Sequence, residues 1–209
     1  METHPCAPVR SFVWPADRVR VSPFMVSSRL TEGRKHRPSP VEDKMLEERY
    51  TEKGYLFPPD TSNASDPLFW GLPAHTYLNL DGMGLRQLHL LYYKVVVEDL
   101  LAQASMDSIF FIPLERSLKF CKIAVDVCPT VVSAAEWVVL DRGTSTPRFS
   151  WVTVEEYFRF QGMVLEEMMP GYEYARLTEF RNSELVKLAG AAFHCPSVGA
   201  FVFSALMLR

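Results

Sequence analysis

Residues 153–162 read TVEEYFRFQG. Thr153 is an N-cap type, Glu155 and Glu156 suit the first turn of a helix, and Gly162 supplies a stop. A helix over 153–162 is therefore expected. Just upstream, CPTVVSAAEWVVLDRG (128–143) holds two valine-rich runs separated by small residues. These are expected to be short strands, 129–133 and 136–140, joined by a tight turn and closed by Gly143. Strands followed directly by a helix, without regular alternation elsewhere, point to a mixed α/β or α+β chain.

Outward from there, residues 81–104 carry Leu85, Leu88, Leu91, Tyr92, Val95, Val96 and Leu100 at steps of three and four, the pattern of a helix with one apolar face. Arg86, His89 and Lys94 fall on its expected solvated side. Residues 31–66 are rich in polar, proline and turn residues and read as a linker, with a short charged helix around VEDKMLEERYTEKG. Val19, Val21, Phe24 and Val26 suggest a strand or strand pair near the N-terminus, broken by Pro23. Near the other end, Asn182 or Ser183 is expected to cap a helix over SELVKLAG, with a last helix from Pro196. Trp137, Phe149 and Trp151 are expected in the core.

The chain has 209 residues, 48% hydrophobic and 22% charged, with a net charge of -3. That composition suits a globular protein with a real core and argues against coating nucleic acid by bulk charge. The four cysteines, at 6, 121, 128 and 195, form no CxxC pair, so zinc is not indicated and reduced thiols in an intracellular protein, nuclear or cytoplasmic, are expected. METHPCAPVR lacks the apolar core of a secretory signal. Residues 189–208 carry no formal charge over twenty positions, long enough for a membrane tail. Gly190, His194, Pro196, Gly199 and two serines interrupt it, and the part after Pro196 spans only ~20 Å as a helix against a ~30 Å bilayer core. A membrane anchor is therefore the weakest of the alternatives. Adjacent His194 and Cys195 would point about 100° apart on a helix, which suits a buried pair better than a nucleophile and its base.

Three stretches, in order, resemble the later motifs of the DNA (cytosine-5) methyltransferase family. Pro15-Ala16-Asp17-Arg18-Val19-Arg20 is similar to its Pro-Gln-x-Arg-x-Arg element, with Ala16 in place of Gln. Val152 to Met163 is similar to its Leu-Thr-x-x-Glu-x-x-Arg-Leu-Gln-Gly-Phe element, keeping Thr153, Glu156, Arg159, Gln161 and Gly162 in register. Leu188-Ala189-Gly190-Ala191-Ala192-Phe193 resembles its final Gly-Asn-Ala/Ser element, with Ala191 in place of Asn. The resemblance covers about 11–30 and 125–209.

It implies an α/β fold: a partial Rossmann-like methyltransferase domain with an inserted small mixed α/β target-recognition-like region. Residues 1–30 would carry the arginine element, 31–66 a flexible linker, 67–150 the target-recognition-like region and 151–209 the C-terminal helices. Arg18 and Arg20 would contact the flipped base and its phosphate, where fixed guanidinium donors stabilise developing charge. Gly190 and Ala191 would be a vestige of the S-adenosyl-L-methionine pocket wall, and Glu156 and Arg159 would be structural.

The sequence lacks the family's glycine-rich loop, its Pro-Cys-Gln nucleophile and its Glu-Asn-Val acid. Pro5-Cys6 stands too near Pro15 to leave room for the acid element between them, so Cys6 is not taken as the nucleophile. The expectation is a chain inactive alone, with DNA as a partner and a second chain, or sequence upstream, supplying the early motifs. The alternative is a degenerate module that binds DNA or protein without catalysis.

Overall fold

The computed structural model describes residues 9–21, 40–103, 105–114, 118, 121–128, 130–132, 136–169 and 171–192. Within them lies a five-stranded mixed sheet: β1 Tyr77–Asn79, β2 Ile109–Pro113, β3 Ala124–Val125, β4 Trp137–Asp141 and β5 Arg148–Trp151. The strand order is β1-β5-β4-β2-β3. β1 runs parallel to β5, and the other three pairings are antiparallel.

Every residue of β4 and β5 is buried, so neither strand alternates apolar with polar. A strand covered on both faces has no solvent side to record. The register assigns the two faces. Phe111, Trp137, Val139, Arg148 and Ser150 share one, and Phe110, Val138, Leu140, Phe149 and Trp151 share the other. On the first face Trp137 meets Tyr157 at 5.2 Å and Phe111 meets Phe160 at 5.5 Å, both from helix α4, Val154–Phe160. On the second, Phe149 meets Trp70 edge-on at 5.3 Å, and Trp70 reaches Tyr92 of helix α3, Leu85–Tyr92, at 6.2 Å. One apolar cluster runs through both layers and includes Val13, Trp70, Leu91, Leu140, Tyr157 and Ala189.

The α4 expectation holds in detail. Thr153 Oγ1 accepts from the Glu156 N–H at 3.3 Å, and Glu156 Oε2 accepts from the Thr153 N–H at 2.7 Å, a reciprocal capping box. Gly162 follows with φ +76°, a conformation only glycine adopts cheaply. The 81–104 expectation narrows to α3, then a π turn over Tyr93–Val97, then a 3-10 turn over Leu100–Ala102. Three consecutive β-branched residues, Val95–Val97, crowd the regular ladder there. Trp137, Phe149 and Trp151 are buried as expected.

Several expectations are corrected. The N-terminal strand is instead helix α1 over Ala16–Val21, with Phe24 and Val26 outside the described residues. Ala16 and Val19, spaced i and i+3, are the buried side, while Asp17, Arg18 and Arg20 are exposed. Pro15 starts it, its carbonyl accepting from Arg18 at 3.1 Å and Val19 at 3.2 Å. Residues 130–132 form no strand, and the neighbours of β4 are β2 and β5. Two short helices follow α4, α5 over Leu165–Met168 and α6 over Gly171–Arg176, and the cap of the next, α7 over Asn182–Ala191, is Arg181, whose N–H donates to Glu184 Oε2 at 3.0 Å.

The expected charged helix is present as α2, Pro40–Glu52, but it is no free linker: Leu46 and Tyr50 dock against Tyr93 and Val97 in a second, smaller cluster. His89 and Lys94, expected in solvent, are buried. Tyr50 Oη donates to the His89 carbonyl at 2.7 Å, Phe57 stands edge-on to the imidazole at 5.5 Å, and Lys94 Nζ meets Glu98 Oε2 at 2.9 Å. Arg86 stays half-buried, 2.6 Å from Glu42 and 3.5 Å from Asp43.

Burial holds the His89 imidazole below its ordinary pKa of 6.5, with the Asp43 carboxylate pulling weakly the other way. The folded chain therefore keeps it neutral where the unfolded chain takes up a proton. Stability is intact above pH 6.5 and is lost as pH falls from there through the folded value. The urea midpoint is expected to drop between pH 7 and pH 5 more in the wild type than in His89→Gln. Equal drops would assign the pH dependence elsewhere.

Candidate functional site

The segment just before the arginine element and the Thr-x-x-Glu helix meet at one buried ion pair, through the Trp14 backbone. Arg148 on β5 and Glu156 on α4 have side chains 1% and 0% exposed. All five N–H donors of the Arg148 guanidinium are used. Nε donates to Ser150 Oγ at 2.7 Å, Nη1 to the Trp14 carbonyl at 3.0 Å and to Glu156 Oε1, and Nη2 to the Trp151 carbonyl at 2.7 Å and to Glu156 Oε2 at 2.9 Å. Glu156 Oε1 also accepts from the Trp14 N–H at 2.7 Å. Trp14 and Glu156 lie 142 residues apart in sequence, so this pair clamps the N-terminal segment onto α4. A two-pronged guanidinium–carboxylate pair with every remaining donor satisfied is the geometry in which a buried charge pair is tolerated.

Outside the clamp lies a more exposed group. Arg18 sits over the Trp14 ring at 3.9 Å from its centroid, and Arg159 approaches the same ring at 5.9 Å. Both guanidiniums meet one carboxylate: Arg159 Nη1 donates to Glu166 Oε1 at 3.1 Å, and Arg18 Nη2 donates to the same oxygen. The Arg18 side chain is 44% exposed. Arg20 lies over Tyr77 of β1 at 5.0 Å. The two sequence-named arginines thus rest on different aromatic rings.

Gly190 and Ala191 are the last two positions of α7, which packs on α4 through its buried side. The helix continues through Gly190, and the Ala192 N–H still bonds back to the Leu188 carbonyl at 3.0 Å. Ala189, Ala191 and Ala192 offer only methyl groups and Gly190 offers none. These residues do not fit an S-adenosyl-L-methionine site by themselves, since no side chain there can hydrogen-bond the donor's polar groups. Phe193, His194, Cys195 and Cys6 lie outside the described residues.

Neither described cysteine suits nucleophilic chemistry. Burial pushes the Cys128 thiol up to about 12, and Cys121 Sγ donates to the Pro113 carbonyl at 2.9 Å. Burial, then the Glu155 carboxylate, raises Tyr174, whose Oη donates to Glu155 Oε1 at 3.1 Å. Among the described residues no cluster of His, Cys, Asp or Glu could hold a metal, and no helix is long and apolar enough to cross a membrane. A recess of about 390 Å³ is lined by residues including Leu68, Leu72, Pro73, Met106, Arg142 and Pro147, and the arginine cluster contributes nothing to it.

Sequence reading missed Trp14, Arg148 and Glu166. An arginine inside the apolar run around Phe149 and Trp151 was a usable signal for Arg148, because a buried guanidinium demands a carboxylate. No signal marked Glu166, whose role depends on two residues brought to it by the fold. No family model, curated protein or solved structure matches this chain.

Proposed function

We propose that this chain is the C-terminal, DNA-facing portion of a DNA (cytosine-5) methyltransferase-like enzyme and transfers no methyl group by itself. The observation that carries the reading is the Arg148–Glu156 clamp. It joins the segment leading into the arginine element to the helix with the most specific family-like pattern, although 142 residues separate them. Glu156 lies in one stretch singled out by sequence resemblance, and Trp14 immediately precedes another. This proximity supports reading the two stretches together.

In this reading α1 presents Arg18 and Arg20 to DNA, and α4 is the platform beneath it. The Rossmann-like, donor-binding part comes from a second chain or from sequence upstream, and Gly190 and Ala191 abut it. A module that binds DNA without catalysis is the second reading. It is favoured by the ion pair already occupying Arg18 and by alanine at positions 16 and 191.

Binding of a short duplex, titrated at several salt concentrations, tests the DNA side of both. Arg18→Ala and Arg20→Ala are each expected to weaken binding several-fold and to reduce the slope of log K against log salt by about one. Unchanged affinity in both variants would show that the arginines serve only the fold.

A further inference from the structure

We infer that Glu166 is a built-in stand-in for a DNA phosphate, occupying a two-arginine anion site formed by Arg18 and Arg159 over Trp14. The inference rests on the DNA-facing reading above. The geometry around Glu166 differs from that of the Arg148–Glu156 clamp in ways that point to an exchangeable occupant. In the clamp, both carboxylate oxygens and all five guanidinium donors are engaged, out of solvent. At Glu166 a single oxygen, Oε1, serves both arginines. Its Oε2 and the Arg159 Nε are buried atoms without a hydrogen-bond partner among the described residues. Two guanidiniums therefore share one acceptor while a donor and an acceptor go unused. A phosphodiester offers two anionic oxygens and fits a pair of guanidiniums better than one bridging carboxylate oxygen does.

Exposure points the same way. The Arg18 and Glu166 side chains are 44% and 24% exposed, and ion pairs this open are weak, so an incoming anion displaces one cheaply. Glu166 rides on helix α5, only Leu165–Met168, whose N-cap Val164 makes no side-chain cap. Arg159 is steadied by a second bond, Nη2 to the Ser11 carbonyl at 3.2 Å, and the Trp14 face holds both cations in place. When DNA arrives, Glu166 swings out and a phosphate takes its position.

The test is the equilibrium affinity of a short fluorescent duplex for the wild type, Glu166→Gln, Glu166→Asp, Arg18→Ala, Arg18→Ala with Glu166→Gln, and Glu52→Gln. Glu52 is exposed at the end of α2, where it pairs with Arg49, and its replacement makes the same change in net charge away from the site. Melting of each variant verifies that it is folded. Glu166→Gln is expected to bind about three- to tenfold more tightly than the wild type, Glu52→Gln to change by less than about twofold, and Glu166→Asp to fall between. Measured against Arg18→Ala alone, adding Glu166→Gln should bring no gain. If the wild type binds DNA and Glu166→Gln binds no better than Glu52→Gln, or if the gain survives loss of Arg18, the stand-in role is overturned while the DNA-facing reading stands. If no folded form binds DNA, both fall.

Discussion

Replacing Arg148 with methionine is expected to lower the unfolding free energy by about 3–5 kcal/mol, measured by urea denaturation at pH 7. Methionine fills much of the same volume, so the cost is not chiefly a cavity. It comes from Glu156, which is 0% exposed and would keep a negative charge with only the Trp14 and Thr153 N–H groups to answer it. The Trp14 carbonyl loses its Arg148 donor in the same step, and the Trp151 carbonyl is left with Ser150 Oγ at 3.1 Å. For a chain of this length, that loss lowers the melting temperature by roughly 6–20 °C.

Adding Glu156→Gln to Arg148→Met should recover part of the loss, because the uncompensated charge is gone and the amide oxygen still accepts from one of the two N–H groups. Arg18→Ala breaks an exposed pair and should cost less than about 1 kcal/mol. A loss below about 1 kcal/mol for Arg148→Met would mean that the pair does not clamp the N-terminal segment to α4.

The legible parts of the fold were those specified by neighbouring residues. The α4 helix could be read because its cap, its first-turn acids and its stop all lie within ten positions. β4 could be read from its valines, and the apolar period of α3 from its leucines. β5 could not, since four residues buried on both sides, one of them an arginine, show neither alternation nor a uniform apolar run. The α1 helix read as a strand because six residues are too few to separate a period of two from one of 3.6, and Arg18 and Arg20 at i and i+2 favoured the wrong one. His89 read as solvated because the residues that pack on it, Tyr50 and Phe57, are distant in sequence, and the charged helix carrying Tyr50 showed no sign of docking. At the site, Arg18 and Arg20 were singled out by resemblance to the arginine element, and only Arg18 joins the group over Trp14, Arg20 lying over Tyr77. Trp14 and Glu166 were not, because what they do is set by partners about 150 residues away.

The second large effect is all-or-none. It requires this chain, duplex DNA, S-adenosyl-L-methionine labelled on its methyl group, and a chain bearing the family's glycine-rich loop, Pro-Cys-Gln element and Glu-Asn-Val element. The proposed roles assign the nucleophile and the donor pocket to that other chain, and base-side stabilisation to Arg18 and Arg20. Loss of a positioned donor of that kind typically costs about 10²–10³ in turnover. Label incorporated into DNA by each chain alone and by the co-expressed pair is therefore the most direct measurement. The account predicts background incorporation from either chain alone, a stable complex on co-expression, transfer by that complex, and a drop of that order in the complex carrying Arg18→Ala with Arg20→Ala. Methyl transfer by this chain alone, or co-expression that yields neither a complex nor transfer, would contradict it.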